Sequence, residues 1–417
     1  MEIAADQALL ASCAKTFSVG GLLVDDAGNV LHAMPNQVIK DGYTSDPTAH
    51  GERQLIDWYY SNRPSLPPPS QVTVVTSLDP CCMCTGAILT AGFKVLTAAY
   101  DTYSGINYDK TSNFPSLTIG MATRAKERFG YPEVVDGVCY NRPAKGPENN
   151  VPAFTAKTIE GRTVALCESI FEATLMAVRN QINNDLPFDQ LGDIDSLPSS
   201  DPIRVALSRK YAQALQYRSR APFTPDEGLA PYLKAMMQHD IALGGRGQAV
   251  ALLDHHGNLL LCMSGSDATS SIRTAFMEVT RTYAGLRRQL QLDGNKDTRK
   301  YLPHPKYCTF VFGLGPMLDD SHPVRHDIGP DSQTQSFMEL GAYGSTMEGA
   351  LDAVNPSPYQ YVRPRMNAAT LAAFCKKLPP LYSGEIKVNP VQVANEALIE
   401  AIGGSARDPL ETRLRPA

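Results

Sequence analysis

Apolar positions in the first hundred residues fall into short runs that switch between a strand period and a helix period. "SVGGLLVDDAGNVLHAM" (Ser18 to Met34) sets two aliphatic runs either side of Asp25-Asp26-Ala27-Gly28-Asn29, which predicts a β-hairpin with that polar stretch as its turn. A short helix is expected over 6–16. Further on, His50 and Glu52 stand at the start of a helical pattern reaching about Tyr60, with Pro47 ahead of it and Thr48 as the expected cap. "RPSLPPPS" then breaks the chain. "QVTVVTSL" (Gln71 to Leu78) is short and β-branched, as a buried parallel strand is, "CTGAILTAGF" is helical, and "KVLTAAYD" (Lys94 to Asp101) is the next strand. This alternation predicts an α/β protein with a three-layer α/β/α arrangement around a mostly parallel mixed sheet.

Residues 140–160 are rich in Pro, Gly and Asn, and the helical runs after them, beginning with "RTVALCESIFEATLMAVRNQI" (Arg162 to Ile182), carry no chemical motif. They read as a helical connector over 151–225. Past it the opening grammar returns. "VALLDHHGNLLL" (Val250 to Leu261) repeats the hairpin, with Asp254 and Gly257-Asn258 answering Asp25 and Gly28-Asn29. "RTAFMEV" (Arg273 to Val279) stands where "PTAHGER" stood, and "CTFVFGLGPMLDD" (Cys308 to Asp320) where "VTVVTSLDPCCMC" stood. Three matches in one order predict an internal duplication: a catalytic domain over 1–150, the connector, and a degenerate second domain over 226–417. His50 is answered by Phe276, Cys81 by Met317 and Cys84 by Asp320, so the second copy is expected to lack metal ligands.

At 417 residues the chain exceeds a single core. Its net charge of −5 gives no global cation field for a polyanion, so nucleic acid is a disfavoured partner. The start, "MEIAADQALLASCAK", has acids where a signal peptide needs bases, and no run approaches the roughly 18 apolar residues of a membrane span; a cytoplasmic protein is expected, with no membrane partner. Nine cysteines, an odd number, do not make a disulfide framework. Only Cys81, Cys82 and Cys84 cluster.

That cluster turns the hairpin-and-helix frame into a chemical proposition. A catalytic zinc takes three protein ligands in a tetrahedron and leaves the fourth corner to water. His50, Cys81 and Cys84 supply three, and the start of a helix favours thiolate. Glu52 is left as the proton carrier. Zinc-bound hydroxide beside a carboxylate is the equipment for hydrolytic deamination at an amidine-type carbon, with Glu52 shuttling the proton and ammonia released. Cys82 is expected to pack without ligating. Cys81 and Cys84 alone could instead belong to a structural zinc site or a redox pair, but neither accounts for His50 and Glu52. The polar stretch Pro316 to Asp327 and the pair His255-His256 are expected in solvated loops, and Trp58 in the core.

H-x-E followed by P-C-x-x-C is the signature of zinc-dependent base deaminases, and "DPTAHGE" with "DPCCMCTGAI" resembles the cytidine deaminase superfamily, in the branch of cytosine, guanine and tRNA adenosine deaminases. By that resemblance Asn36 hydrogen-bonds the substrate, Ala49 and Gly51 flank the zinc histidine, with Gly51 leaving room beside the metal, and Ser77, Leu78 and Asp79 line the base pocket. Zn2+ is the implied cofactor. The substrate expected is a small amino-heterocycle, a nucleobase, nucleoside or related metabolite. The alternatives are a polynucleotide (tRNA or single-stranded) base deaminase and a non-catalytic zinc-stabilised binding protein. The second half is expected to serve as an intramolecular pseudo-dimer partner, with a homodimer left open.

Overall fold

Gly20 and Gly21 open the first strand because nothing larger fits there. A Cβ on Gly20 would lie 2.5 Å from the Gln7 carbonyl carbon, and one on Gly21 would lie 2.7 Å from the Val75 carbonyl oxygen, so both glycines lie directly against backbone. The computed structural model describes residues 1–137, 158–182, 185–315, 330–347, 358–365 and 368–403. Contacts divide the chain into two units, one of residues 1–184, 330–350 and 374–388, the other of 185–329, 351–373 and 389–417.

In the first unit, helix α1 (Glu2–Cys13) leads into strands β1 (Gly20–Asp25) and β2 (Val30–Pro35), helix α2 (Gly51–Asn62), strand β3 (Val72–Leu78), helix α3 (Cys82–Ala91) and strand β4 (Lys94–Ala99). Helix α4 (Ile119–Arg128), strand β5 (Phe129–Gly130) and helix α5 (Gly161–Ile182) follow. The sheet order is β2-β1-β3-β4-β5. β1 runs antiparallel to both β2 and β3, while β4 is parallel to β3 and β5. The sheet is therefore evenly mixed, with two antiparallel pairings made by β1 and two parallel ones made by β4.

Helices α1 and α5 cover one face, α2 and α3 the other. α5 is no connector. Val164, Phe171, Val178 and Ile182 recur at helical spacing and pack with Phe17, Ile39, Leu78 and Ala99 in one buried cluster. The expected boundary at 150 gives way to one after Asn184 for that reason. Thr48 is not the α2 cap: His50 holds that position, and the Thr48 hydroxyl donates to Asp46 (2.6 Å) and accepts from the buried Arg53 (3.0 Å). Trp58 is half-buried and stacks on His32, with ring centroids 4.3 Å apart.

The helix Pro330–Thr346 packs on α3 at two glycines. A Cβ on Gly86 would come within 2.6 Å of Met338 Cα, and one on Gly341 within 2.1 Å of the Met83 backbone nitrogen. Bare backbone faces bare backbone there.

The second unit has helix α6 (Ala230–Ala242), strands β6 (Ala249–Leu253) and β7 (Leu259–Ser264), helix α7 (Ala275–Leu292), and strands β8 (Thr309–Gly313), β9 (Tyr359–Arg363) and β10 (Val391–Gln392). Its sheet order, β7-β6-β8-β9-β10, has the same sequence of antiparallel and parallel pairings as the first. Both hairpins carry a register shift at the matched point, between Leu23 and Val24 and between Leu252 and Leu253. Asp25 and Asp254 each accept 2.8 Å bonds from the backbone N–H of their asparagines, Asn29 and Asn258.

Phe276, in the place of the zinc histidine, is buried against Phe310 and Phe312, and Glu278 pairs with Arg273 (2.9 Å). His255 is not exposed: it is buried edge-on against Phe188, and that burial pushes its pKa down to about 4. The counterparts of the zinc cysteines, Met317 and Asp320, lie outside the described residues, as does the polar stretch around them.

Candidate metal centre

β3 and α2 end and begin at one place. The chain leaves β3 through Leu78, Asp79 and Pro80, and Cys81 becomes the extended N-cap of α3, with Cys84 one turn in. His50 is the N-cap of α2, also extended, and Glu52 lies in that helix's first turn. Two helix starts thus bring one imidazole and two thiols together. Ligand atoms of His50, Cys81 and Cys84 all lie within 4.8 Å of one another, and His50 Nδ1 is 3.5 Å from Cys81 Sγ. One nitrogen and two sulfurs at that separation suit zinc: the donors are of the right softness, and three of them leave a tetrahedral corner. Cys82 stands outside the group, buried, its thiol pushed well up by burial.

Glu52 is buried behind the donors. Its Oε1 accepts from the Thr76 hydroxyl at 3.0 Å and its Oε2 from the Cys84 thiol at 3.5 Å. Loss of solvent raises its pKa above the ordinary carboxylate value, and the neighbouring Cys81 adds to the rise. The two thiols move apart. A hydrogen bond from Cys84, helped by the nearby His50, holds Cys81 well below the usual thiol range, while burial pushes Cys84 well above it. The helix start favours both thiolates, but only the Cys81 end has the hydrogen bonds to hold one.

A cavity open to solvent adjoins this group at the C-terminal ends of the parallel strands. His50, Glu52 and Cys81 form its floor, and Asn36, Leu78 and Asp79 stand on its wall. Ala49 and Ser77 lie behind that wall: the Ala49 carbonyl accepts from Gln37 N–H (2.9 Å), and the Ser77 hydroxyl accepts from Gly20 N–H (3.0 Å). Asn36 is oriented by its surroundings. Its Oδ1 accepts from Thr16 (2.7 Å) and from Val38 N–H (3.0 Å), which leaves the NH2 as the end turned to a ligand. A Cβ on Gly51 would sit 3.4 Å from Gly20 Cα, so this glycine faces the hairpin and not the donors.

Asp79 serves the structure as much as the wall. Its carboxylate accepts from Asn107 N–H (2.7 Å) and Tyr131 O–H (2.8 Å), and burial pushes its pKa up to about 8. This draws the loop after β4 over the cavity. Asp101 in that loop, pushed up to about 6 by burial, accepts from Tyr103 N–H (2.8 Å) and Ser104 N–H (3.0 Å), and all three residues line the space. Phe171, Leu175 and Arg179 of α5 and Leu381 complete it. Asp101 could have been found from its place just past a strand end; the α5 residues have no signal beyond apolar spacing, and Leu381 has none.

Residues 1–99 match the family described as the cytidine and deoxycytidylate deaminase zinc-binding region. A solved structure from a study of A-to-I editing by tRNA:A34 deaminases at the wobble position of transfer RNA is 26% identical over 25% of this chain and 78% of that one, with a TM-score of 0.22. No curated protein matches the chain. The match at residues 1–99 takes in His50, Cys81 and Cys84, so the cofactor of the site is zinc. Among the described residues no helix is long and apolar enough to cross a membrane.

Proposed function

We propose that the chain, whose residues 1–99 match the cytidine and deoxycytidylate deaminase zinc-binding region, is a zinc-dependent hydrolytic deaminase of a small amino-heterocycle, a nucleobase, nucleoside or related metabolite. One observation carries the reading: three zinc donors lie within 4.8 Å of one another, and two of them, His50 and Cys81, line a cavity together with the buried carboxylate of Glu52. Zinc bound there supplies Lewis acidity and lets water ionise near neutral pH.

The protein's own groups do the rest. Glu52, raised by burial and steadied by Thr76, takes one proton from water and gives it to the ring nitrogen, then takes a second from the hydroxyl added at the ring carbon and gives it to the departing amine. The Asn36 amide, its oxygen already committed, donates to an acceptor on the ring and fixes which edge faces Glu52. Phe17, Phe171, Leu175 and Leu381 give apolar walls to a flat ring and keep bulk water out. Asp79 holds the Asp101–Ser104 loop in place through Asn107 and Tyr131.

The test is ammonia release by the purified zinc-loaded chain from cytosine, guanine, adenine, their nucleosides and related aminated heterocycles. One or more is expected to turn over, and Glu52→Gln is expected to lose at least about 100-fold in rate while keeping its zinc. Turnover of tRNA or single-stranded DNA alone would replace the small-molecule reading, and zinc binding without any turnover would replace it with a binding role.

A further inference from the structure

Arg179, projecting from α5, is the one arginine or lysine on the cavity wall among the described residues, and it is already occupied. Its side chain is 8% exposed. One arm of the guanidinium bonds the Glu385 carboxylate, the other reaches Tyr103 Oη (3.2 Å) and Glu385 Oε1 (3.5 Å), and the group lies 5.4 Å from the Tyr103 ring centre. Tyr103 O–H also donates to Glu385. The turn Leu381–Glu385 that carries this carboxylate is tied to the same loop by a 3.0 Å bond from Leu381 N–H to the Tyr103 carbonyl. Glu52, Asp79 and Asp101 line the same cavity.

An arginine fork receives a carboxylate or a phosphate with the same geometry. We propose that Glu385 fills the position a phosphate would take on Arg179, so that the cavity rejects phosphorylated ligands and selects an unphosphorylated heterocycle. An incoming phosphate would have to displace a carboxylate bonded by two partners, Arg179 and Tyr103. The inference deepens the deaminase reading and rests on that cavity being the substrate site. It makes Glu385 a specificity-determining residue, although it follows the motif residues by some three hundred positions.

Inorganic phosphate is the probe, and binding is the readout. In the zinc-loaded full chain phosphate is expected to leave the melting temperature unchanged. In Glu385→Gln it is expected to raise it by a few degrees, as a ligand specific to the folded state does. In the double variant Arg179→Gln, Glu385→Gln the rise is expected to vanish. A phosphate-dependent rise in the parent protein that Arg179→Gln abolishes overturns the proposal, since the guanidinium would then already take anions. A folded Glu385→Gln protein with no response to phosphate overturns it too. Should that variant fail to fold, calorimetric titration of the parent protein and Arg179→Gln with phosphate still decides. None of these readings needs turnover, so a failed deaminase assay leaves them intact, and their failure leaves the deaminase assay intact.

Discussion

Replacing Gly341 by alanine tests how the motif helix is held. The added methyl would lie 2.1 Å from the Met83 nitrogen and 2.6 Å from the Cys82 carbonyl carbon, whereas ordinary contact begins at 3.4 Å. The crossing must therefore open by about 1 Å, and since the atoms met are backbone, no rotamer change can absorb it. Overpacking of this kind costs about 1–3 kcal/mol or more, against a gain of about 1 kcal/mol from replacing a helical glycine. A net loss near 2 kcal/mol corresponds to a melting temperature lower by roughly 4–8 °C for a unit of this size. The displaced peptide lies between Cys81 and Cys84, so zinc affinity should fall with stability. Thermal unfolding followed by circular dichroism, with zinc competition against a chromophoric chelator, reads both. A Gly341→Ala protein that melts as late as the parent and holds zinc as tightly would refute the reasoning.

Further outcomes follow from the second unit. Gly285 lies inside α7 with nothing within 4 Å of where its Cβ would be, so Gly285→Ala should stabilise by about 0.5–1 kcal/mol in chemical denaturation, the reverse of Gly341→Ala. His304 is buried, and that burial pushes its pKa down to about 3. Its folded value lies below the unfolded one near 6.5, so its stabilising effect is complete above that pH and is lost as the pH falls toward about 3, on the order of 4 kcal/mol in all. His304→Asn keeps an acceptor for the Lys306 N–H (3.1 Å in the parent) and should lessen the loss of stability between pH 7 and pH 5 by about 2 kcal/mol in urea titrations. An unchanged pH dependence would show that His304 titrates normally.

The hairpins, the motif strand and the helix after it were legible because each rests on a local rule: turn residues with a glycine at positive φ (Gly28 at 88°, Gly257 at 86°), β-branched runs, and a helix start. The donor group was legible because zinc chemistry constrains residue type and spacing together. What local rules do not reach was missed. α5 obeys the same apolar period as any surface helix, and only the sheet it packs against makes Phe171, Leu175 and Arg179 part of a cavity. Thr48 has the residue type of a cap, but Asp46 and Arg53 claim its hydroxyl. His255 follows turn chemistry, but Phe188, a distant residue in sequence, covers it.

The first unit draws on residues 330–350 and 374–388 as well as the opening 184. A nascent chain emerging from the ribosome exposes both thiols and the imidazole long before the segments that cover Met83 and supply Leu381 have been made. Through that interval the α3 face is bare apolar surface, and its closure waits on contacts of very long sequence separation, which form slowly and leave intermediates open to aggregation. Maturation of the metal centre is thus tied to synthesis of residues 330–350 and 374–388, and a fragment stopping at residue 184 would hold every zinc donor yet lack the helix that keeps two of them in position.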